Sequence, residues 1–351
     1  MSLLKKNAIV VTGVIISNGL AFVFHFAAGR MLGPDEYGEF AAMLTVLMVI
    51  GLPLTSLNST VTKFVSKANL DNPGTIKKLK HRFQRDMLLT IGPLVLVIIF
   101  LKNPISRYLN LADPQHMILI GIAGLVSLFL GINRGVAIGV QNYKRFSSNL
   151  IVEAVARLLI LIALASLGTG AIGAIIAFGA AYLLAFGMLE IAQKKSFTET
   201  ERTNFGRKEL YRFMGVMLAV QFAIQGSINL PTLYIKHAFS SEFTGYWNAA
   251  LTISRSILFV TMAVSMVLFT ETAGSSDSQS RKRNLSLSVI MVILGSGIIA
   301  ILFYFFPEFF LRLLFGAEFV DAASILQWMG FAMIGFSLLD LWSKYYLAKM
   351  K

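Results

Sequence analysis

The residues of this sequence best suited to chemistry are charged and amide side chains inside long apolar stretches. Glu153 and Arg157 are four residues apart in one stretch, and Arg255 lies in another. An arginine in such a place offers a planar fork of donors to an anion, whereas a carboxylate serves as its counter-charge or binds a cation. The Glu153–Arg157 spacing favours a helix-internal ion pair and a substrate site equally. Arg255 has no carboxylate near it in sequence, which favours an anion-binding role.

A second group consists of amides. Gln221, Gln225 and Asn229 are spaced by four residues, which places them on one helical face. Such a row suits either the wall of a hydrated cavity or hydrogen bonds between helices. Asn18 occupies the position equivalent to Gln225 in an internal repeat described below, and this favours the cavity. Arg134, near the end of its apolar stretch, is expected to extend its side chain towards the membrane surface. The same stretch has Gly131, Gly135 and Gly139 at four-residue spacing, which predicts a small-residue face for close helix packing.

The sequence contains no pattern that favours an enzyme active site or a cofactor site. The chain has no cysteine, which excludes disulfides, a thiol nucleophile and cysteine-ligated metals. Its four histidines are scattered along the chain. The glycine pattern at 168–173 connects two apolar stretches, where a dinucleotide loop requires a strand and a helix. We therefore expect a protein that is not an enzyme and that has no cofactor and no metal.

The composition is that of a polytopic membrane protein. Hydrophobic residues make up 56% and charged residues 14% of the 351, against about 25% charged in soluble domains. A membrane-spanning helix needs about 20 apolar residues, and we find ten such runs. They are Ala8–Gly29, Phe40–Leu57, Met87–Leu101, Met117–Gly139, Leu150–Leu167, Ala171–Ala192, Phe213–Ile235, Trp247–Thr270, Leu285–Phe306 and Ala322–Trp342.

The placement of basic residues predicts the orientation. With a cytoplasmic N-terminus, the inner segments hold 23 of the 31 Lys and Arg and the outer segments hold five. Cytoplasmic loops of membrane proteins carry this excess. We expect a multi-pass protein of the cytoplasmic membrane with both termini inside. The net charge of +13 then follows from orientation and predicts no nucleic-acid partner.

One basic inner segment has its own pattern. After Asn72-Pro73-Gly74, the apolar residues Ile76, Leu79, Phe83 and Met87 share one helical face, and most of the lysines and arginines lie elsewhere. This predicts an amphipathic helix on the anionic inner lipid surface. A solvated basic loop is the alternative.

The sequence also repeats itself at an offset of 207 residues. Asn18 then aligns with Gln225, Gly38 with Gly245, and residues 44–46 with 251–253. Because six spans precede the second copy, both copies enter from the same side and form parallel repeats. We expect an all-α protein with a six-helix lobe at 1–207 and a four-helix lobe at 208–351 that lacks its last two helices. Two such lobes would surround a central cavity.

A motif in the first copy resembles a known family. Residues 29–40, running on to Gly51-Leu52-Pro53, are similar to the polysaccharide transporter family, the oligosaccharide or O-antigen flippases of the multidrug/oligosaccharidyl-lipid/polysaccharide superfamily. The residues that carry the resemblance are Gly29, Arg30, Leu32, Gly33, Pro34, Tyr37, Gly38 and Phe40. Residues 141–146, followed by Glu153 and Arg157, are similar to the same family's fourth and fifth helices. The resemblance implies a twelve- to fourteen-helix flippase, whereas this chain has ten predicted helices.

These observations predict a flippase for polyprenyl-diphosphate-linked oligosaccharides that works by alternating access. The candidate substrate-binding residues are Arg255, Arg157, Glu153, Gln221, Gln225, Asn229 and Asn18. The alternatives are a multidrug or cation antiporter of the same superfamily and a truncated, non-transporting membrane protein. Three buried arginines against one buried glutamate favour the anionic substrate. The expected partners are the lipid-linked oligosaccharide, anionic lipids at the inner surface and other polysaccharide-assembly proteins.

Overall fold

The computed structural model describes residues 3–71, 75–194, 214–216, 218–274 and 278–349, and in these residues the regular structure is helical. The helices are α1 Leu3–Asp71, α2 Ile76–Phe100, α3 Lys102–Tyr108, α4 His116–Gly139, α5 Tyr143–Ser166, α6 Gly170–Lys194, α7 Ser227–Ala238, α8 Ser241–Ser254, α9 Ile257–Gly274, α10 Ser278–Phe305, α11 Pro307–Leu314 and α12 Ala323–Lys349. A π-helical segment, Phe222–Gly226, precedes α7, and a 3₁₀ segment, Ala317–Ala322, precedes α12.

The first helix is far too long for one membrane crossing. Its 69 residues would extend roughly 100 Å at 1.5 Å per residue, whereas the hydrocarbon core is ~30 Å thick. Gly33 interrupts the helical backbone at φ 72° and ψ 175°, a region that favours glycine because it lacks a Cβ. α1 therefore consists of two helical halves that meet at Gly33.

The predicted membrane segments are confirmed. The described residues contain nine stretches long and apolar enough to cross a membrane, and the first of them, 8–68, includes both predicted runs of α1. Each remaining stretch corresponds to one of the other eight predicted runs. The chain is a multi-pass membrane protein.

The chain forms two compact units. Unit 1 comprises Met1–Leu32 and Glu39–Ser241, and unit 2 comprises Gly33–Gly38 and Glu242–Lys351. The short segment Gly33–Gly38 thus belongs to unit 2 although its neighbours on both sides belong to unit 1. The predicted lobe boundary at residue 207 falls in 195–213, outside the described residues, and the repeat stays a prediction.

The amphipathic segment of unit 1 is a helix, as predicted, but its predicted location on the lipid surface is wrong. Ile76, Leu79, Phe83 and Met87 are all buried. They pack against residues of α1 and α4, namely Leu57, Val61, Phe64, Val65, Ala68, Leu128, Ile132 and Val136. The segment is the first part of α2, which continues without a break into the third membrane stretch. Its apolar face is therefore occupied by protein. Asn72-Pro73-Gly74 lie outside the described residues.

The glycines of α4 allow a close approach to the second half of α1. A Cβ atom on Gly135 would lie 2.7 Å from the Val61 Cβ, and one on Gly139 would lie 2.7 Å from the Val65 Cβ. Real Cβ atoms do not approach this closely, so both positions require glycine. The predicted small-residue packing face at Gly131, Gly135 and Gly139 is confirmed.

At the opposite end of unit 1, α3 is tied to the end of α7. The rings of Tyr108 and His237 stack in parallel, with centroids 4.0 Å apart. The His237 Nδ1 is 2.7 Å from the Tyr108 carbonyl oxygen. Asn110 donates a 3.4 Å hydrogen bond from its amide to the His237 carbonyl. These contacts place α7 firmly in unit 1.

Unit 2 is organised around α9, α10 and α12. Its core includes Leu268 of α9, Val292 of α10, and Leu341 and Tyr345 of α12, all of them buried. A second cluster is aromatic and contains Phe315 and Phe319, whose ring centroids are 5.2 Å apart. This aromatic cluster receives the segment Gly33–Gly38.

Candidate functional site

Unit 1 contains a buried charge cluster formed by α4 and α5. Glu153 and Arg157 lie one turn apart on α5, and Arg134 approaches from α4. The Arg134 Nη2 is 2.7 Å from Glu153 Oε2, and the Arg157 Nη1 is 3.4 Å from Glu153 Oε1. The predicted Glu153–Arg157 ion pair is present, and a second arginine shares its carboxylate.

Arg134 is held by hydrogen bonds to side chains of α5. Its Nε donates a 2.9 Å hydrogen bond to the Asn149 side chain, and its Nη2 donates to Glu153. Asn149 in turn donates from its amide to the Ala185 carbonyl of α6 at 2.8 Å. The expectation that Arg134 extends to the membrane surface is wrong, because its guanidinium turns inward and links α4 to α5 and, through Asn149, to α6.

Arg157 is held differently. Its guanidinium carbon is 4.4 Å from the ring centroid of Phe178 and 5.5 Å from that of Phe24, which indicates cation–π contacts. Its buried Nε has no hydrogen-bond acceptor among the residues that the structure describes. Arg157 is therefore fixed in place by Glu153 and two aromatic rings while it retains an unused donor.

The aromatic side chains around Arg157 include one residue of the family motif. Phe40 is fully buried, with its ring centroid 5.9 Å from that of Phe24 and 6.1 Å from that of Phe178. The second half of α1 therefore helps to position the rings on which Arg157 rests. The motif residues Gly29, Arg30 and Leu32 also belong to unit 1, whereas Gly33, Pro34, Tyr37 and Gly38 belong to unit 2.

A second polar cluster in unit 1 escaped sequence analysis. Lys80 of α2 donates a 2.7 Å hydrogen bond to Glu190 of α6, and Asn133 of α4 donates to the same oxygen at 2.9 Å. Gln193 donates to the Asn133 carbonyl at 2.7 Å. The sequence did hold a signal, because Lys80 interrupts the apolar stripe formed by Ile76, Leu79 and Phe83. A lysine inside such a stripe needs a buried partner.

In unit 2, Arg255 lies at a break between two helices. α8 ends at Ser254 and α9 begins at Ile257. The Ser256 amide bonds to the Ile253 carbonyl, three residues back, at 3.0 Å, so the backbone tightens at this point. Arg255 is half-buried, and it lies within electrostatic range of Tyr37.

The three amides differ in exposure. Gln221 is half-buried, Gln225 is exposed and Asn229 is buried. The π-helical segment Phe222–Gly226 lies between Gln221 and Asn229, and their common face stays a prediction. Asn229 donates from its side chain to the Gln225 carbonyl at 2.7 Å, which is a contact within its own helix. Asn18 is half-buried in unit 1.

Comparisons with known proteins agree with this architecture. The chain is 24% identical to an uncharacterised membrane protein of Methanocaldococcus jannaschii, with 97% of this chain and 88% of that protein aligned. Among solved structures, it is similar to a multidrug resistance MATE family transporter of the MOP superfamily in an inward-facing conformation. The TM-score is 0.71 at 11% identity, with coverage of 93% of this chain and 83% of that one.

A lipid II flippase, MurJ, in an inward closed conformation matches with a TM-score of 0.71 at 13% identity, covering 96% of this chain and 76% of that one. At such identities the likeness concerns the fold. The model of one sequence family, described as polysaccharide biosynthesis protein, matches residues 3–270. The family resemblance of the motif at 29–40 is thereby confirmed, and the chain belongs to the polysaccharide biosynthesis protein family.

Proposed function

We propose that this protein is a flippase that moves polyprenyl-diphosphate-linked oligosaccharides across the cytoplasmic membrane by alternating access. The observation that carries the proposal is Arg157, an arginine clamped in place inside the membrane with a free donor. A diphosphate is an anion whose oxygens accept hydrogen bonds from a guanidinium in fixed geometry. Family membership and the fold shared with transporters support the same function.

The charge balance of the unit 1 cluster favours an anionic substrate. Two guanidinium groups, Arg134 and Arg157, meet one carboxylate, Glu153. The cluster thus carries one positive charge in excess. A multidrug or cation antiporter would instead require a carboxylate that is free to bind a cation, and Glu153 is already contacted by both arginines.

We assign different parts of the substrate to different groups. Arg157 in unit 1 and Arg255 in unit 2 are proposed to bind the diphosphate at different stages of transport. The amides of Gln221, Gln225 and Asn18 are proposed to meet sugar hydroxyls, while the polyprenyl chain stays in lipid. Asn229 is less suited to this role, since its amide bonds to its own helix. Both termini are placed in the cytoplasm on the basis of the charge distribution.

The direct test is complementation of a flippase-deficient bacterial strain, scored by surface glycan at matched membrane abundance. The wild-type chain should restore the glycan, and Arg157→Ala should fail. Arg157→Lys should restore it in part, because an ammonium keeps the charge but loses the planar fork. Arg85→Ala is the matched control, since that arginine is exposed, with 61% of its side chain accessible.

Three outcomes would contradict the proposal. Full complementation by Arg157→Ala and by Arg255→Ala would remove the anion site from the mechanism. Failure of the wild-type chain to move a fluorescent polyprenyl-diphosphate saccharide in proteoliposomes, together with extrusion of an organic cation, would favour the antiporter instead. Failure with both substrates would favour a protein that does not transport.

A further inference from the structure

The segment Gly33–Gly38 carries half of the family motif, and its packing in unit 2 is unusually close. A methyl group on Gly245 of α8 would overlap the Pro34 carbonyl, so the two backbones are in contact at this point. Gly33 lies at φ 72°, next to the Glu318 carboxylate, where a Cβ would be 3.3 Å from Oε2. The backbone of the segment is therefore fixed against unit 2 at both residues.

The same segment inserts Tyr37 into the aromatic cluster of unit 2. Tyr37 has no exposed surface. Its ring contacts Phe315 and Phe319 edge-on, with centroids 5.4 Å and 5.8 Å away. This packing explains a large apolar residue at position 37. It does not explain the hydroxyl, which a phenylalanine would lack.

The hydroxyl of Tyr37 lies near the C-terminal end of α8, the end that is followed by Arg255. It lies 3.4 Å from the Thr252 Oγ1, a contact between two buried side chains. Thr252 and Arg255 are three residues apart, so they are neighbours on one face of the last turn. Tyr37 and Thr252 thus meet one turn before Arg255, close to the point where α8 ends and the backbone tightens.

We propose that Tyr37 is a positioning residue for Arg255, whose hydroxyl fixes the last turn of α8 so that the guanidinium is held ready for the diphosphate. The inference rests on the proposed function, and it gives that part of the motif a role in substrate recognition. A diphosphate needs two of its oxygens aligned with the guanidinium fork. A turn that is free to shift would leave the charge of Arg255 in place but lose this alignment.

The experiment compares two tyrosines that pack against the same ring. Tyr37→Phe keeps the aromatic packing and removes only the hydroxyl. Tyr246→Phe is the matched control, because the Tyr246 ring lies 6.2 Å from Phe319, while its hydroxyl donates to Glu242 at 2.8 Å and lies far along α8 from Arg255. Initial rates would be measured in proteoliposomes with fluorescent undecaprenyl-diphosphate N-acetylglucosamine and with its monophosphate analogue.

We expect Tyr37→Phe to slow transport of the diphosphate lipid about three- to tenfold, the effect of one lost hydrogen bond, and to reduce the preference for diphosphate over monophosphate. Tyr246→Phe should retain the wild-type rate and preference. In an Arg255→Ala background, Tyr37→Phe should cause no further loss, because coupled residues are not additive. If Tyr37→Phe accumulates poorly, Thr252→Val removes the partner hydroxyl with little change in shape and should give the same defect.

The outcomes separate this inference from the proposed function. Slower transport in Arg255→Ala with wild-type behaviour in both Tyr37→Phe and Thr252→Val would overturn the role of Tyr37 alone. An additive loss in the double variant would also overturn it, since the two residues would then act independently. Wild-type transport in Arg255→Ala and Arg157→Ala would overturn the proposed anion site itself.

Discussion

Arg134 and Glu153 form a buried ion pair between α4 and α5, with 2.7 Å between Nη2 and Oε2. Each side chain is only 8% exposed. Removal of one partner from an isolated buried pair leaves the other charge uncompensated, which costs about 3–5 kcal/mol. Glu153 also contacts Arg157, so the loss of Arg134 should cost less than this. Arg134 thus links α4 to α5, whereas Arg157 beside it is the residue proposed to bind the substrate.

The first prediction follows from this difference. Arg134→Met should lower the thermal stability of the purified protein and its abundance in the membrane, because Glu153 loses its hydrogen-bonded partner. Adding Glu153→Gln should lower the stability further, since Arg157 then loses its buried counter-charge. Arg85→Met serves as the control. Equal melting temperatures for Arg134→Met and wild type would show that the pair has no structural role.

The second prediction concerns Lys80 and its contact with Glu190. Lys80→Met should destabilise unit 1 by about 1 kcal/mol, a modest value because Glu190 is partly exposed and keeps its bond from Asn133. Lys78→Met is the matched control, because Lys78 is exposed on the same helix. Thermal unfolding in detergent measures both. A melting temperature as high as that of the control would mean that the 2.7 Å contact contributes nothing.

The third prediction tests the close packing of α4 against α1. Gly135→Ala should destabilise the protein by about 1–3 kcal/mol, because its methyl group would have to displace Val61. Gly187→Ala in α6 should be neutral or stabilising, since no atom lies within 4 Å of its added Cβ and alanine is the better helix former. Val61→Ala should not rescue Gly135→Ala, because alanine keeps the Cβ atom and the Asn58 carbonyl oxygen would still lie 2.9 Å from the added methyl group. Equal effects of the two alanines would argue against the close approach.

The fourth prediction concerns orientation. The chain has no cysteine, so single cysteines at Lys102 and Lys282 report their side of the membrane without background labelling. A membrane-impermeant thiol reagent applied to intact cells should label position 102 and leave position 282 unlabelled until the cells are permeabilised. The reverse pattern would invert the orientation.

The sequence predicted those features that depend on local pattern. Apolar runs of sufficient length located the membrane segments, and the four-residue spacing of Glu153 and Arg157 indicated an ion pair as one of two alternatives. The spacing of Gly131, Gly135 and Gly139 located a helix contact. In each case the signal lies within one helix, where the 3.6-residue period relates sequence position to face.

Other features depend on which helices meet, and the sequence alone could not supply them. Arg134 finds Glu153 on the next helix, and Tyr37 finds Thr252 at a distance of 215 residues along the chain. The π-helical segment Phe222–Gly226 was likewise not predictable from the four-residue spacing of the amides. The lipid-surface prediction for Ile76 and Phe83 had the correct face but the wrong neighbour, since amphipathicity does not reveal whether lipid or protein covers a face.

The position of Tyr37 in unit 2 has a consequence for how the protein is made. A ribosome adds about 5–20 residues per second, so Phe315 and Phe319, about 280 residues later, emerge tens of seconds after Tyr37. During that interval the nascent chain holds a tyrosine, a proline carbonyl and a left-handed glycine for which no binding surface yet exists. The segment Gly33–Gly38 can therefore complete its packing only after the rest of unit 2, residues 242–351, has been synthesised. A chain released after residue 241 would lack the later residues against which Tyr37 packs.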